Sequence, residues 1–260
     1  MGRLVRQAWE RAEALERDPP AKTGASKNGL EIPSFRDALL KNTVAVIAEL
    51  KRSSPSKGFI NPRLDARRQS VAYEEGGASA ISVLTEPASF GGSDADVEQV
   101  RAATSLPILK KDFHVSELQL IEAKQLGASA ALVIVRAIEP ARVMSLASVA
   151  RGIGLEILFE VRDESELRIA IDAGAEIVGV NNRDLETLEI DATTVDRILP
   201  LIPANCVAIA ESGYSTRKHV EAAARSGADA VLVGSAISAA EDPALAVREL
   251  SGVPTTSRRR

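Results

Sequence analysis

Cysteine and aromatic residues are scarce in this sequence of 260 residues. Cys206 is the only cysteine, which excludes an internal disulfide and a metal site that needs several cysteines. Phenylalanine, tryptophan and tyrosine together make up 3% of the residues, so the core has to be built from alanine, valine, isoleucine and leucine. Aliphatic runs of this kind are typical of parallel strands that are covered on both faces.

Long apolar runs and an excess of positive charge are also missing. No run approaches the roughly 20 residues that a membrane span requires. Residues 1–18 are charged throughout, unlike a signal peptide. The net charge of −4 disfavours nucleic acid as a partner, so any anion site has to be local. The composition therefore predicts a cytoplasmic protein with no nucleic-acid partner and no membrane partner.

A Gly-Ala pair recurs before an aliphatic run at four places in the chain. The pairs begin at Gly77, Gly127, Gly174 and Gly227, and each interval of about 50 residues contains one further aliphatic run. Half of that interval accommodates one strand, one helix and two short connections. Glycine is typical of helix ends, where the left-handed conformation favours a residue without Cβ. The repeat therefore predicts alternating strands and helices.

The repeat and one earlier aliphatic run predict eight strands joined by helices. Strands that alternate with helices form parallel sheets, and eight such units in about 250 residues are typical of a closed barrel. We expect one α/β domain, a single (β/α)₈ TIM barrel over residues 35–252, with an N-terminal helical extension over 1–34 and a disordered tail over 253–260. Residues 3–17 form a charged helical pattern that is either a cap on the barrel or a frayed end. The predicted strands are 44–50, 79–84, 107–111, 130–135, 156–160, 176–180, 206–210 and 230–234.

Polar residues follow the predicted strands at their carboxyl ends, where (β/α)₈ barrels carry their active sites. Polar residues after five or more strands are better explained by one converging site than by separate loops. Glu49 and Lys51 alternate along the first strand and so share its inward face. A lysine crowded by other cations can have a lowered pKa and act as an acid, while a glutamate can act as a base. The residues concerned are Glu49, Lys51, Lys110, Lys111, Asp112, Glu160, Asn181, Asn182, Arg183, Glu211, Ser212, Gly213, Gly234 and Ser235.

Two Gly-Ser pairs predict a phosphate site after the seventh and eighth strands, at 212–213 and 234–235. In this fold these two loops often bind phosphate through backbone N–H groups. One such pair alone is common turn chemistry, so the prediction depends on both positions together. The basic segment 49–58 could hold a second anion, close over the substrate as a lid, or be a solvated loop.

Three other features predict no separate chemistry. Cys206 opens an apolar strand and is expected to be a core residue. His114 and His219 are far apart and lack a ligand cluster, so we expect a loop residue and a helix-surface residue. The segment 90–93 lacks the strand–turn–helix context of a dinucleotide site and predicts a loop after the second strand. Nothing in the sequence suggests a metal or a cofactor.

Seven segments, in order from about residue 35 to residue 250, resemble one enzyme family. They include the motifs Glu-x-Lys-x-x-Ser-Pro-Ser, Lys-Asp-Phe and Asn-x-Arg-Asp-Leu, which are highly specific in combination. The chain is similar to the indole-3-glycerol-phosphate synthase family of tryptophan biosynthesis. The resemblance implies a carboxy-lyase without metal or cofactor that closes the ring of 1-(2-carboxyphenylamino)-1-deoxyribulose 5-phosphate, with loss of carbon dioxide and water. The segments are 48–58, 84–86 with 90–93, 111–113, 159–161, 179–185, 210–213 and 233–235.

The resemblance also implies roles for individual residues. Lys111 looks like the general acid that protonates the ketone oxygen, and Glu160 like the base that stabilises the cationic intermediate. Glu49 and Lys51 would assist dehydration and anchor anions, and the division of roles within each Lys and Glu pair stays open. The resemblance implies that Asn181, Arg183 and Glu211 orient the substrate's carboxylate and hydroxyls, that Ser212, Gly213, Gly234 and Ser235 bind its phosphate, and that Ser56, Phe90, Phe113 and Leu132 line the anthranilate pocket.

Three alternatives stay open at this point. Another phosphosugar barrel, such as a histidine-biosynthesis isomerase, would use aspartates where this chain has Glu49 and Glu160. A Schiff-base aldolase would use Lys111 as its nucleophile, and an inactive barrel would only bind phosphorylated ligands. The chain departs from the family pattern at His114 and Ser129, and residues 1–34 match it poorly. Because no apolar helix stripe is left without a partner, the sequence predicts a monomer.

Overall fold

The computed structural model describes residues 1–20 and 31–256. Its eight main strands form a closed parallel barrel in which each strand pairs with its neighbours in sequence and the last pairs with the first. The predicted (β/α)₈ TIM barrel is confirmed, and every strand lies within one residue of its predicted bounds. The strands are β1 (Ala45–Leu50), β2 (Ala80–Leu84), β3 (Ile108–Lys111), β4 (Ala130–Ile134), β5 (Glu156–Val161), β6 (Ile177–Asn181), β7 (Val207–Glu211) and β8 (Ala230–Val233).

Helices follow the strands and cover the outside of the barrel. Ser116 caps one of them, α6, by accepting a hydrogen bond from the Leu118 N–H. The four glycines of the Gly-Ala repeat all have positive φ, between 80° and 94°. None of the described helices is long and apolar enough to cross a membrane. The helices are α1 (Gly2–Arg17), α2 (Phe35–Leu39), α3 (Ala66–Glu75), α4 (Pro87–Phe90), α5 (Asp94–Arg101), α6 (Glu117–Gln125), α7 (Pro140–Gly152), α8 (Glu164–Asp172), α9 (Thr193–Ile198), α10 (Arg217–Arg225), α11 (Ser235–Ser238) and α12 (Pro243–Leu250).

Buried apolar side chains form two cores, one inside the barrel and one between the strands and helices. The inner core is largely aliphatic, with Ile47, Leu109, Leu158 and Ile209 fully buried from four different strands. Full burial of one such side chain contributes about 1.5–3 kcal/mol. The two cores hold the strands rigidly, so the polar residues at their carboxyl ends are fixed relative to one another.

The N-terminal segment closes both ends of the barrel. At the amino end, Phe35 and Leu39 of α2 are fully buried in the inner core. The Ser34 hydroxyl and the Arg36 N–H donate to the carboxylate of Glu156 at 2.7 and 2.9 Å, which ties α2 to the start of β5. At the carboxyl end lies α1, so the charged helix is a cap and not a frayed end.

Polar contacts and an apolar face hold α1 over the carboxyl end of the barrel. The Met1 amino group donates to the Leu185 carbonyl at 3.2 Å, and Arg11 pairs with Asp112 at 2.6 Å. Ala8 and Ala12 are buried in the inner core. Two alanines on this face let the helix approach the barrel mouth closely.

The end of the chain pairs with the segment that enters β1. The Val44 N–H donates to the Val253 carbonyl at 2.7 Å, and the Thr255 N–H donates to the Asn42 carbonyl at 3.1 Å. The prediction of a disordered tail from residue 253 was therefore wrong for these residues, because backbone pairing orders them. The predicted segments 21–30 and 257–260 lie outside the described residues.

Candidate active site

Five charged side chains from four strands converge at the carboxyl end of the barrel. Lys111 Nζ of β3 lies 3.8 Å from Glu49 Oε2, 3.8 Å from Glu160 Oε2 and 3.5 Å from Glu211 Oε2. Lys51 Nζ lies 3.1 Å from Glu49 Oε1, so Glu49 and Lys51 share the inward face, as predicted. The site therefore places one lysine among three carboxylates, with a second lysine at its edge.

Two neutral side chains orient the carboxylates. Asn181 donates from Nδ2 to Glu160 Oε1 at 3.0 Å, and its Oδ1 accepts the Arg183 N–H at 2.9 Å. The hydroxyl of Ser82 donates to Glu49 Oε2 at 3.4 Å. Sequence analysis missed Ser82, which is fully buried on β2 directly opposite Glu49. The sequence did contain a signal for Ser82, since it is a polar residue within an otherwise apolar strand.

The charges of the site change the pKa values of its members. Burial raises the pKa of Glu49, but Lys51 and Lys111 more than offset this and hold it below its usual value. Burial lowers the pKa of Lys111, whereas the glutamates around it raise it well above the ordinary value. The expectation of a lysine with a lowered pKa is therefore wrong for Lys111, because its neighbours are carboxylates and not cations.

Glu211 is the carboxyl group of the site whose burial is least offset by neighbouring positive charge. Its side chain is buried, and neither of its oxygens receives a hydrogen bond from the described residues. Burial raises its pKa to about 8; Lys111 opposes the shift, while Glu160 and Glu49 add to it. Lys111 is shared among three carboxylates and Lys51 pairs with Glu49, so Glu211 is the carboxyl group of the cluster that binds a proton most readily.

The free energy of unfolding is expected to depend on pH through Glu211. A carboxyl whose pKa is higher in the folded protein stabilises the fold fully below its unfolded pKa of 4.5 and loses that contribution as the pH rises toward 8. Between these values, wild type is expected to lose more stability than Glu211→Gln, as measured by urea unfolding at several pH values. The same substitution at the exposed Glu10 is the control, and parallel curves for wild type and Glu211→Gln would contradict the assignment.

Gly179 on β6 makes room for the Glu211 side chain. A Cβ at this position would overlap Glu211 Oε1 and would lie 3.1 Å from Leu158 Cδ1. We expect Gly179→Ala to destabilise the protein by about 1–3 kcal/mol through overpacking and to lower turnover by displacing Glu211. Thermal unfolding and steady-state kinetics measure both effects. Gly152→Ala is the matched control, since a Cβ there meets no atom within 4 Å, and it should keep wild-type kinetics.

The four predicted phosphate residues lie next to one another on the rim. Leu232 of β8 is the register partner of Glu211 of β7, so the segments 212–213 and 234–235 leave adjacent strands. Ser212 and Gly213 both have positive φ, 66° and 94°, and Ser235 begins α11. A Cβ on Gly234 would overlap Glu49 Oε1, so this turn packs directly against a charged residue of the site.

Three of the four residues predicted to line an aromatic pocket share the inner core. Phe113 and Leu132 are buried there, and Phe90 packs against the same cluster. The Phe90 ring centroid lies 5.9 Å from Lys51 Nζ. Ser56 lies instead in the exposed turn of the hairpin formed by 53–54 and 58–59.

Two arginines near the site, Arg52 and Arg183, are already bonded to other groups of the protein. Arg52 forms a two-pronged ion pair with Asp96 at 2.6 and 2.8 Å. Within the basic segment 49–58, Arg52 therefore anchors the hairpin to α5. Arg183 donates to the Leu188 carbonyl at 2.6 Å and is half-buried.

Other residues singled out in the sequence lie outside the cluster. Lys110 and Lys111 are consecutive residues of β3, so their side chains point to opposite faces of the strand. Lys110 points toward the outer helices, where its Nζ lies 2.9 Å from Asp94 Oδ1. Cys206 is buried, as expected, and His219 is exposed on α10. His114 follows β3 but is buried, with Nδ1 2.8 Å from the Leu132 carbonyl.

Asp112 links the cap to the site, which sequence analysis did not foresee. It accepts hydrogen bonds from Arg11 at 2.6 Å, from the Thr85 hydroxyl at 2.7 Å and from the Phe113 N–H at 2.7 Å. Because Asp112 follows Lys111 directly, these bonds fix the backbone beside the central lysine. Arg11 lies about a hundred residues away in sequence, and no local pattern marks it as a partner.

Comparison with known proteins gives consistent results. A family model described as indole-3-glycerol phosphate synthase matches residues 2–250. Indole-3-glycerol phosphate synthase 1 of Streptomyces coelicolor is 47% identical over 230 residues, which cover 88% of this chain and 83% of the relative. The corresponding protein of Streptomyces griseus subsp. griseus is 46% identical over 241 residues, covering 93% and 86%. The matched range begins at residue 2 and so includes the N-terminal segment, where the resemblance in sequence is poor.

Solved structures support the fold. 3-Hexulose-6-phosphate synthase from Salmonella typhimurium aligns with a TM-score of 0.63 at 17% identity, over 80% of this chain and 96% of that one. A mutant tryptophan synthase alpha-subunit from Pyrococcus furiosus aligns with a TM-score of 0.59 at 20% identity, over 80% and 98%. The family model and the relatives at more than 45% identity decide the family: the chain belongs to the indole-3-glycerol phosphate synthase family.

Proposed function

We propose that this chain closes the indole ring of 1-(2-carboxyphenylamino)-1-deoxyribulose 5-phosphate. The ring carbon that bears the carboxylate attacks the ketone carbon and forms the new C–C bond. Carbon dioxide then leaves that ring carbon and the aromatic ring is restored. The former ketone oxygen leaves as water, and the adjacent carbon loses a proton to give indole-3-glycerol phosphate. Membership of the family, with these side chains in one cluster, supports the proposal.

The position of Lys111 among three carboxylates is the observation that carries the proposal. Its neighbours keep the amine protonated, so Lys111 can donate to the ketone oxygen as the C–C bond forms. The developing alkoxide is a far stronger base than an amine, so transfer of the proton becomes favourable in the transition state. We therefore assign Lys111 as the general acid of ring closure.

Glu160 is proposed to stabilise the positive charge that the attack creates on the substrate nitrogen, and to remove the final proton. The Asn181 amide donates to its Oε1, which leaves Oε2 facing the site beside Lys111. A buried carboxylate is effective against a nearby cation because little water screens the pair. We propose that Glu160, and not Glu49, has these two roles.

Glu49 and Lys51 are proposed to assist the loss of water. Lys51 Nζ lies 3.1 Å from Glu49 Oε1, so the pair can deliver a proton to the departing hydroxyl and later regain one. The aliphatic part of the Lys51 side chain also approaches the turn at 234–235, which we call the phosphate turn. Its Cδ lies 3.3 Å from the point that a Cβ on Gly234 would occupy. Lys51 would thus lie between the reacting centre and the proposed phosphate site.

The remaining predicted residues are proposed to bind and orient the substrate. Backbone N–H groups at 212–213 and 234–235 would bind the phosphate, as in other barrels of this kind. Glu211, whose raised pKa favours the protonated form, can donate to a substrate hydroxyl or carboxylate. Asn181 and Arg183 would orient the same groups, while Phe90, Phe113, Leu132 and Ser56 would line the anthranilate pocket.

The cluster argues against two alternative functions. A Schiff-base aldolase needs a neutral amine as nucleophile, and the three carboxylates disfavour that form of Lys111. A phosphosugar isomerase of the kind that uses two aspartates would have them where this chain has Glu49 and Glu160. The function is tested by mixing purified protein with the substrate and following indole fluorescence. Saturable appearance of fluorescence supports the proposal, and silence from folded protein overturns it.

We also propose that the protein is a monomer that acts in the cytoplasm. The exposed large apolar side chains of the described residues come from several elements, among them Trp9 of α1, Phe59 of the hairpin and Met144 of α7, which supports the proposal of a monomer. Size-exclusion chromatography with light scattering should give a single species of 27.6 kDa. A stable species of twice that mass would contradict the monomer.

A further inference from the structure

A buried hydroxyl group links the phosphate turn to the charged pair on β1. Ser238, the last residue of α11, is fully buried. Its Oγ donates to the Glu49 carbonyl at 2.8 Å and accepts the Lys51 N–H at 3.1 Å. A single side chain from the element after β8 therefore holds the backbone on both sides of Leu50.

The same residue is bonded to the phosphate turn through its backbone. The Ser238 N–H donates to the Gly234 carbonyl at 2.9 Å, which closes the short helix onto the turn. Asn61 donates to the Ser238 carbonyl at 2.9 Å from the opposite side. A displacement of Gly234 is thus transmitted through one turn of helix to the backbone of Glu49 and Lys51.

Tyr73 of α3 completes the arrangement from the outer layer. Its hydroxyl lies 3.2 Å from the Glu49 carbonyl oxygen and 3.1 Å from Ser238 Oγ. The hydroxyl protons of Tyr73 and Ser238 and the Lys51 N–H each have an acceptor, so the network is satisfied. Satisfied buried networks hold one geometry, and removing one member leaves another without a partner.

We propose that Ser238 is a positioning residue that couples occupation of the phosphate turn to the placement of Glu49 and Lys51. The inference rests on the proposed phosphate site at 234–235. Binding energy from a part of the substrate that does not react can be used to orient catalytic groups. Phosphate bound at Gly234 and Ser235 fixes α11, and Ser238 then fixes the two residues that serve dehydration. Ser238 itself is not expected to touch the substrate.

The test compares two substrates in wild type and Ser238→Ala. One is the phosphorylated substrate, and the other is its analogue with a hydroxyl in place of the phosphate, both followed in single turnovers with enzyme in excess. Ser238→Ala should lower kcat/KM for the phosphorylated substrate by about 10- to 100-fold, since the bound phosphate can then no longer place Glu49 and Lys51 through Ser238. For the analogue, kcat/KM should fall by less than about 3-fold. Without a bound phosphate, Ser238 has no effect of phosphate binding to pass on to Glu49 and Lys51.

Inorganic phosphate separates coupling from simple support of the phosphate site. Its dissociation constant, measured by calorimetry, should change by less than about 3-fold in Ser238→Ala, because the backbone donors stay in place. Ser70→Ala is the matched control: Ser70 is a fully buried serine of α3, and among the described residues its hydroxyl bonds only to the Arg67 carbonyl of its own helix. It should leave both substrates and phosphate binding unchanged.

Equal losses with the two substrates would overturn the coupling, as would a loss of phosphate affinity that matches the loss of kcat/KM. Where Ser238→Ala does not fold, Ser238→Cys keeps the size of the side chain with a weaker donor and is judged by the same ratios. Failure of wild type to convert the phosphorylated substrate would contradict the proposed function instead. The two failures are therefore distinguishable.

Discussion

Replacing Lys111 by alanine is expected to lower kcat by about 10²- to 10⁴-fold, the usual contribution of a general acid. The substitution removes the proton donor and also leaves Glu160 and Glu211 without their shared cation, while Lys51 stays paired with Glu49. Those carboxylates can take up protons, so we expect the barrel to fold, with its stability greater at pH 5 than at pH 8. Indole fluorescence measures turnover, and circular dichroism with thermal unfolding verifies the fold.

A second variant of Lys111 distinguishes the loss of its transferable proton from the loss of its positive charge. Lys111→Arg retains a cation that does not give up its proton under these conditions, so it should be as inactive as Lys111→Ala. Lys124→Ala is the control, because Lys124 bonds to the Gly154 carbonyl in the outer layer and should keep wild-type rates. Turnover of Lys111→Ala or Lys111→Arg near the wild-type rate would show that another group supplies the proton.

Replacing Glu160 by glutamine is expected to lower kcat by about 10²-fold or more while the fold is kept. Glutamine has the same shape and can still accept the hydrogen bond from Asn181, so only the negative charge and the basic oxygen are lost. Because the base acts after ring closure, release of carbon dioxide should precede the appearance of indole in this variant. Stopped-flow fluorescence and a coupled carbon dioxide assay measure the two rates.

The same substitution at Glu156 is a suitable control for Glu160→Gln. Glu156 lies on the same strand but at the amino end, where it binds Ser34 and Arg36, so Glu156→Gln should affect stability and leave kcat within about 3-fold. If Glu49→Gln were severely impaired and Glu160→Gln were not, the base would be Glu49. This result would reverse the proposed division of roles between the two glutamates.

The fold was predictable because its signals are local and repeated. Glycine at the helix ends, aliphatic runs of about five residues and helical spacing between them recur along the whole chain. Each strand end could therefore be located to within one residue. The site residues could be located as well, because a (β/α)₈ barrel brings the carboxyl ends of all its strands to one rim. Glu49, Lys111, Glu160 and Glu211 do converge there.

The missed features depend on contacts between distant parts of the chain. Burial of His114 and ordering of Pro254 were not visible in the sequence, because neither has a partner in its own segment. The ion pair of Arg11 with Asp112 joins residues about a hundred positions apart. The expectation for the lysine pKa failed for the same reason: the charges that surround Lys111 come from three other strands.

The sequence by itself determined which elements form and which residue types stand at the strand ends, because periodicity and turn residues act over a few positions. The tertiary structure decided the pairings among those residues. It placed α1 over the barrel mouth, left Glu211 with one shared cation and joined Ser238 to the backbone of Glu49 and Lys51. Charge interactions and hydrogen bonds depend on distances of a few ångströms, and closure of the barrel sets those distances.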